Sequence, residues 1–151
     1  MEKKREVDTD ELLRLLFMES SLDNFMTRDN SDILFPSFPD YINSLSDKRG
    51  EPPAKIISRA NLDKSYGHQI FRGIRHPSRD TVLQLAFGFE LDFATTQTLL
   101  KIARHTLLHP RVKRDMVIIF CLQHHYSIVE TQIALDEYDL PLLGGKGNDR
   151  Q

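Results

Sequence analysis

The chain has 151 residues, no tryptophan and one cysteine, Cys121. A lone thiol excludes an internal disulfide. Its apolar flanks, IIFCL, predict burial, and no sequence neighbour is suited to activating it as a nucleophile. No apolar run reaches the ~18 residues of a membrane span. The charged start, MEKKREVDTDE, has no apolar stretch suited to a signal peptide. These absences together predict a cytoplasmic protein with no membrane partner. There is no glycine-rich phosphate loop and no nucleophile elbow, so no catalytic residue and no cofactor are assigned, and the chain reads as a non-enzyme. No segment alternates apolar and polar residues as a strand does, which makes the expected fold all-α. Six histidines invite a metal reading that their spacing does not support. His124 and His125 are adjacent, so a helix points them about 100° apart. His105 and His109 are four apart, but Pro110 ends their helix and no Cys or carboxylate stands beside them at a metal-site spacing. No metal site is expected.

The net charge of −2 conceals a strong asymmetry. Residues 1–47 carry −6, residues 48–79 carry +6 and residues 80–151 carry −2. A basic block of this kind suits phosphate binding, because each neutralised phosphate releases counterions.

Apolar spacing predicts a helical arm over 9–26, capped by Thr9, with Leu12, Leu13, Leu16 and Phe17 on one face and Leu22, Phe25 and Met26 extending it. Residues 27–39 read as a linker in which Pro36 and Pro39 stop helices. A short helix over 40–48 is expected, capped by Asp40, with Tyr41, Ile42 and Leu45 facing inward. Two short helices follow, about 54–61 and 64–72, with Leu62 and Asp63 as their turn and Asp63 as N-cap of the second. Gly73 suits a left-handed C-terminal cap, and His76-Pro77 forbids continuation. Ser78 caps the next helix, about 79–89, whose Val82, Leu83, Leu85, Ala86, Phe87 and Phe89 supply core.

A weak repeat with an offset of 35 residues follows. Residues 91–108 align on 126–143, with Thr96-Gln97 on Thr131-Gln132, Leu100 on Leu135 and Leu107-Leu108 on Leu142-Leu143. Upstream, VLQLA (82–86) falls on VIIFC (117–121). The expectation is two stacked helical hairpins sharing a core. Arg111, Lys113 and Arg114 read as the solvated start of the second hairpin, and GGKGNDRQ (144–151) as a mobile tail.

Two short helices, a tight turn, then a glycine-containing turn and a basic loop make up a helix-turn-helix signature. Residues 53–79 resemble the phage-repressor-like, XRE-type helix-turn-helix family. The family pattern runs from an apolar turn residue and a capping Ser through the recognition helix to apolar-x-x-Gly-x-Arg-x-Pro-Ser. Here it appears ungapped as Leu62, Asp63, the helix, Ile70, Gly73, Arg75, Pro77 and Ser78. The resemblance covers roughly residues 40–108. An arm (1–36) and a C-terminal hairpin (109–151) packed on the helix-turn-helix domain (37–108) complete the expected organisation and lie outside the resemblance. The resemblance implies a prokaryotic or phage-borne, sequence-specific transcriptional regulator that binds double-stranded DNA. If the module docks as its relatives do, Lys64, Ser65, Tyr66, His68 and Gln69 face base edges, Gln69 reading adenine and Lys64 guanine. Lys55, Arg59, Arg72, Arg75 and Arg79 hold phosphates.

Three residues depart from the family pattern. Ile57 stands where the first helix usually has Ala, and Gly67 where the second usually has a branched apolar residue. The pair reads as a compensated exchange of volume between the two helices. Pro53 replaces a Gln that contacts phosphate, although proline suits the first helical position. A homodimer is a further expectation, with Val117, Ile118, Ile119 and Phe120 as its candidate surface; the alternative is that all four are core. A second functional class stays open: an adaptor whose helix-turn-helix is a scaffold and whose acidic arm, 1–36, docks a protein partner. A variant folds the acidic arm over the basic face as an autoinhibitor.

Overall fold

The computed structural model describes residues 7–30 and 33–145. Among them are nine helices and no strand. None of the helices is long and apolar enough to cross a membrane. The chain divides into two units, residues 1–36 and 37–151.

The first unit holds α1 (Thr9–Met18) and α2 (Leu22–Met26), two helices where the sequence suggested one arm. The break comes from Glu19. Its Oε1 accepts from the backbone amides of Ser20 and Ser21 at 3.1 and 3.3 Å and from Asn24 Nδ2 at 2.8 Å. A side chain that captures the next amides competes with helix continuation. The Asn24 hydrogen bond and then the Ser21 amide hold the Glu19 carboxyl below its ordinary pKa. The N-cap is Asp8, not Thr9; it accepts from the Asp10 amide. Most of the predicted apolar face is exposed. No α1 residue is buried, Phe17, Leu22 and Met26 are exposed, and only Phe25 is buried in α2.

The second unit holds α3 (Phe38–Arg49), α4 (Pro53–Arg59), α5 (Lys64–Phe71), α6 (Arg79–Gly88), α7 (Phe93–Ile102), α8 (Lys113–Gln123) and α9 (Ile128–Glu137). Helix α3 starts earlier than expected. Ser37, not Asp40, is the cap, its Oγ accepting the Asp40 amide at 3.2 Å. Pro39 therefore sits in the first turn, where no amide hydrogen is needed, and does not end the preceding segment. Asp63 caps α5 through the Tyr66 amide at 2.9 Å, and Ser78 caps α6 through the Thr81 amide at 3.2 Å. Gly73 takes φ 78° at the end of α5, where the Ile74 amide reaches the Gln69 carbonyl at 2.9 Å.

Helix α6 is the centre of the unit, with every residue from Asp80 to Gly88 buried. Gly88 lets α4 lie against it, since a Cβ there would stand 2.6 Å from the Ile56 carbonyl oxygen. Between α4 and α5 the expected exchange of volume is visible. A Cβ on Gly67 would stand 2.6, 2.7 and 2.9 Å from three Ile57 side-chain carbons. The isoleucine fills the space that a side chain at 67 would take, and it is 2% exposed.

The repeat is far stronger in three dimensions than in sequence. Hairpins α6–α7 and α8–α9 are locked by reciprocal ion pairs at the same 35-residue offset. Arg79 binds Asp115 at 2.9 and 3.2 Å, and Arg114 binds Asp80 at 2.9 and 3.0 Å, both bidentate. Each guanidinium also donates to the exit segment of its own hairpin: Arg79 to the Thr106 and Leu107 carbonyls, Arg114 to those of Pro141 and Leu142. Each aspartate accepts one amide from the exit segment of the other hairpin, His109 for Asp115 and Gly144 for Asp80. Gln97 and Gln132 clamp Leu108 and Leu143, each through both its amide groups. Even the left-handed residues correspond: Glu90 with His125 and Arg104 with Asp139. The contacts between hairpins are thus related by an approximate internal two-fold.

This lock corrects two expectations. Arg114 is not a solvated helix start but a buried-pair partner. The tail is held at its beginning, because the Gly144 amide donates to Asp80 at 3.1 Å. Residues 146–151 of that tail lie outside the described residues. Burial pushes the Asp80 carboxyl up, but hydrogen bonds from Arg114 and Gly144 and the two nearby guanidiniums outweigh it, leaving the pKa below its ordinary value.

Candidate nucleic-acid interface

Helix α5 divides cleanly by its 3.6-residue period. Gly67, Ile70 and Phe71 are buried. Lys64, Ser65 and Arg72 are exposed and His68 and Gln69 half-exposed, all on the opposite side, with Tyr66 at the boundary packed against the core. Asn43 of α3 anchors the end of α5, its Nδ2 donating to the Phe71 carbonyl at 2.8 Å. His105 Nε2 lies 2.8 Å from the Pro77 carbonyl and steadies the loop after α5. From sequence, Asn43 does not stand out, and His105 is weighed only as a metal ligand.

The ten expected contact residues fall into two groups. Lys55, Lys64, Ser65, Tyr66, His68, Gln69, Arg72 and Arg75 lie on α4, on α5 or in the loop that follows; the four cations Lys55, Lys64, Arg72 and Arg75 are exposed, and His68 is half-covered. Gln69 and Arg75 act together, since Arg75 Nε donates to Gln69 Oε1 at 3.1 Å. Arg59 and Arg79 are occupied by the fold. Arg59 donates to both Glu51 oxygens, at 2.8 and 3.0 Å, and to the Gly88 carbonyl at 2.7 Å. Arg49 joins Glu51 to Glu90 in the same network. Hydrogen bonds from Arg59 and then Arg49 hold the Glu51 carboxyl down to about 2. Arg79 is spent on Asp115, as described above.

Among the described residues no three His, Cys, Asp or Glu side chains gather as a metal site. Cys121 is fully buried, and that burial pushes its thiol above the ordinary pKa. His124 stacks on Phe120 with ring centroids 4.0 Å apart. No protein-family model, curated protein or solved structure matches the chain.

Proposed function

We propose that α4 and α5 form a helix-turn-helix that binds double-stranded DNA in a sequence-specific manner, and that the protein is a cytoplasmic transcriptional regulator. The observation that carries this reading is the solvent face of α5. Lys64, Ser65, His68, Gln69 and Arg72 line one side of a helix whose other side is fixed in the core. The +6 segment of the sequence coincides with it, and the resemblance to the XRE-type pattern runs in the same direction. The start of α5 enters the major groove. Lys64 reads guanine and Gln69 reads adenine. Lys55, Arg72 and Arg75 hold phosphates, and Arg75 also orients Gln69 through their hydrogen bond. Arg59 and Arg79 leave this list and serve the scaffold.

Selection of the full chain against random duplexes at low salt should enrich one motif. Arg72→Ala should then lower the slope of log affinity against log salt by about one, while Lys64→Ala should relax the preference at one base position. Arg59→Ala should lower the melting temperature and leave that slope unchanged. Absence of enrichment at low salt refutes the reading.

A second reading, a protein-binding adaptor, is favoured by the uncovered apolar face of α1. An amphipathic helix of this kind suits a partner's groove. Affinity capture with the full chain and with Phe17→Asp tests it; recovery of the same partners by both refutes it.

A further inference from the structure

His105 and Arg79 tie the exit of the first hairpin to the loop that follows α5. His105 Nε2 lies 2.8 Å from the Pro77 carbonyl, and Arg79 donates to the Thr106 and Leu107 carbonyls at 2.8 and 3.2 Å. The pairings of 77 with 105 and of 79 with 106 and 107 advance in the same direction, so the two segments run side by side. One step back along each brings Arg104 to the end of the loop that carries Arg75 and His76. All three of these residues are exposed. The Arg104 side chain makes no hydrogen bond or ion pair among the described residues.

The internal repeat supplies a comparison within the same chain. Arg104 and Asp139 occupy matching positions with matching backbone, at φ 63° and 56°. A left-handed residue of this kind favours Gly, Asn or Asp. Asp139 follows that preference and Arg104 departs from it. Lys101, also exposed, stands where the second hairpin has Asp136. The two exits therefore share a backbone and differ in sign, with Lys101 and Arg104 on one against Asp136, Glu137 and Asp139 on the other. The fold accepts either charge at these positions, and the cations are on the copy that adjoins the α5 loop.

We propose that Arg104 is a phosphate contact outside the helix-turn-helix, extending the track of Arg72 and Arg75 onto the exit of the first hairpin. This role rests on the DNA-binding reading of α5 and adds a contact that the XRE-type pattern, which ends at Ser78, does not contain. A guanidinium beside the duplex neutralises a phosphate and releases its counterions, so it contributes affinity and register and not base choice.

The test is titration of the full chain, by fluorescence anisotropy, against the duplex enriched by selection and against a scrambled duplex, each from about 50 to 200 mM salt. Arg104→Gly should weaken binding to both, and the slope of log affinity against log salt should fall by about one on each. Its melting temperature should match or exceed that of the wild type, because glycine takes φ 63° without a Cβ clash. Arg104→Lys should keep the slope, and so should Asp139→Gly, the matching change on the second hairpin. A wild-type slope in Arg104→Gly, with Arg72→Ala lowering it, overturns the proposal and leaves the DNA-binding reading of α5 standing. A loss confined to the selected duplex overturns it too, because Arg104 would then read a base. A wild type that binds neither duplex at low salt removes both the reading and this contact.

Discussion

The exchange between Ile57 and Gly67 can be reversed on paper, and the reversal carries a quantitative expectation. Ile57→Ala removes three carbons and Gly67→Val adds three, so the double variant conserves the volume between α4 and α5. Ile57→Ala alone deletes about three carbons' worth of burial at ~0.8 kcal/mol each and leaves a cavity, for a cost of about 3 kcal/mol. Gly67→Val alone places Cβ at 2.6–2.9 Å from Ile57 carbons, where ordinary contact is about 3.5–4.0 Å. The helices must part, and overpacking of this sort costs about 2 kcal/mol even after the small gain in helix propensity. Independent effects would sum to about 5 kcal/mol, but a volume-conserving swap costs about 1.5 kcal/mol or less, so the coupling should be about 3 kcal/mol. Urea unfolding followed by far-ultraviolet circular dichroism measures it, provided the m-value stays constant across the four proteins. Additivity within about 0.5 kcal/mol would show that the two residues do not share one space. A stabilising Gly67→Val would refute the close approach itself.

Three further outcomes follow from the geometry. Asp115→Asn leaves the quarter-exposed Arg79 without its carboxylate and should cost about 3 kcal/mol in urea unfolding, and Asp80→Asn should cost a similar amount through Arg114; a loss under 1 kcal/mol in both would remove the lock from the stability argument. The Glu51 carboxyl titrates at about 2 in the folded chain against about 4.3 unfolded, so its contribution is complete above the unfolded value and is lost as pH falls through the folded one. Melting temperature should therefore drop between about pH 4.5 and pH 2, and Glu51→Gln should start lower at neutral pH and lose less over that window; parallel curves would assign the acid sensitivity to other groups. Gly73→Val forces a β-branched residue to φ 78° with its Cβ 3.1 Å from Pro39 Cγ, and should cost about 1–2 kcal/mol in the same unfolding assay, whereas no loss would mean the turn rearranges freely.

Local chemistry made much of the second unit legible. The caps Asp63 and Ser78, the glycine stop at 73 and the apolar run of α6 each follow from one residue's own preferences, and each stands where expected. The break in the arm is not legible, because Leu12–Met26 has helical spacing throughout and spacing cannot report that Glu19 takes the next two amides. At α3 a proline alone suggests a stop, but Ser37 two residues earlier turns Pro39 into a first-turn residue. The least legible feature is the set Arg79, Asp80, Arg114 and Asp115. The 35-residue offset is plain in apolar positions and a Thr-Gln pair, and the two Arg-Asp dipeptides obey it as well. Basic residues in a +6 block were read as surface, and a charge count cannot distinguish a guanidinium facing solvent from one facing a carboxylate across a fold.

The reciprocal lock also bears on what can be moved or inherited. Residues 37–108 look in sequence like a portable module, yet taken alone they leave Arg79 and Asp80 at an unmatched seam, with each partner 36 or 34 positions downstream. A graft, a truncation or a recombination event that separates the hairpins strands one charge of each sign on either side of the cut. The smallest exchangeable segment of this chain therefore begins near Ser37 and extends through Gly144, so a change in the α5 face and a change in the α8–α9 hairpin are carried on the same indivisible piece.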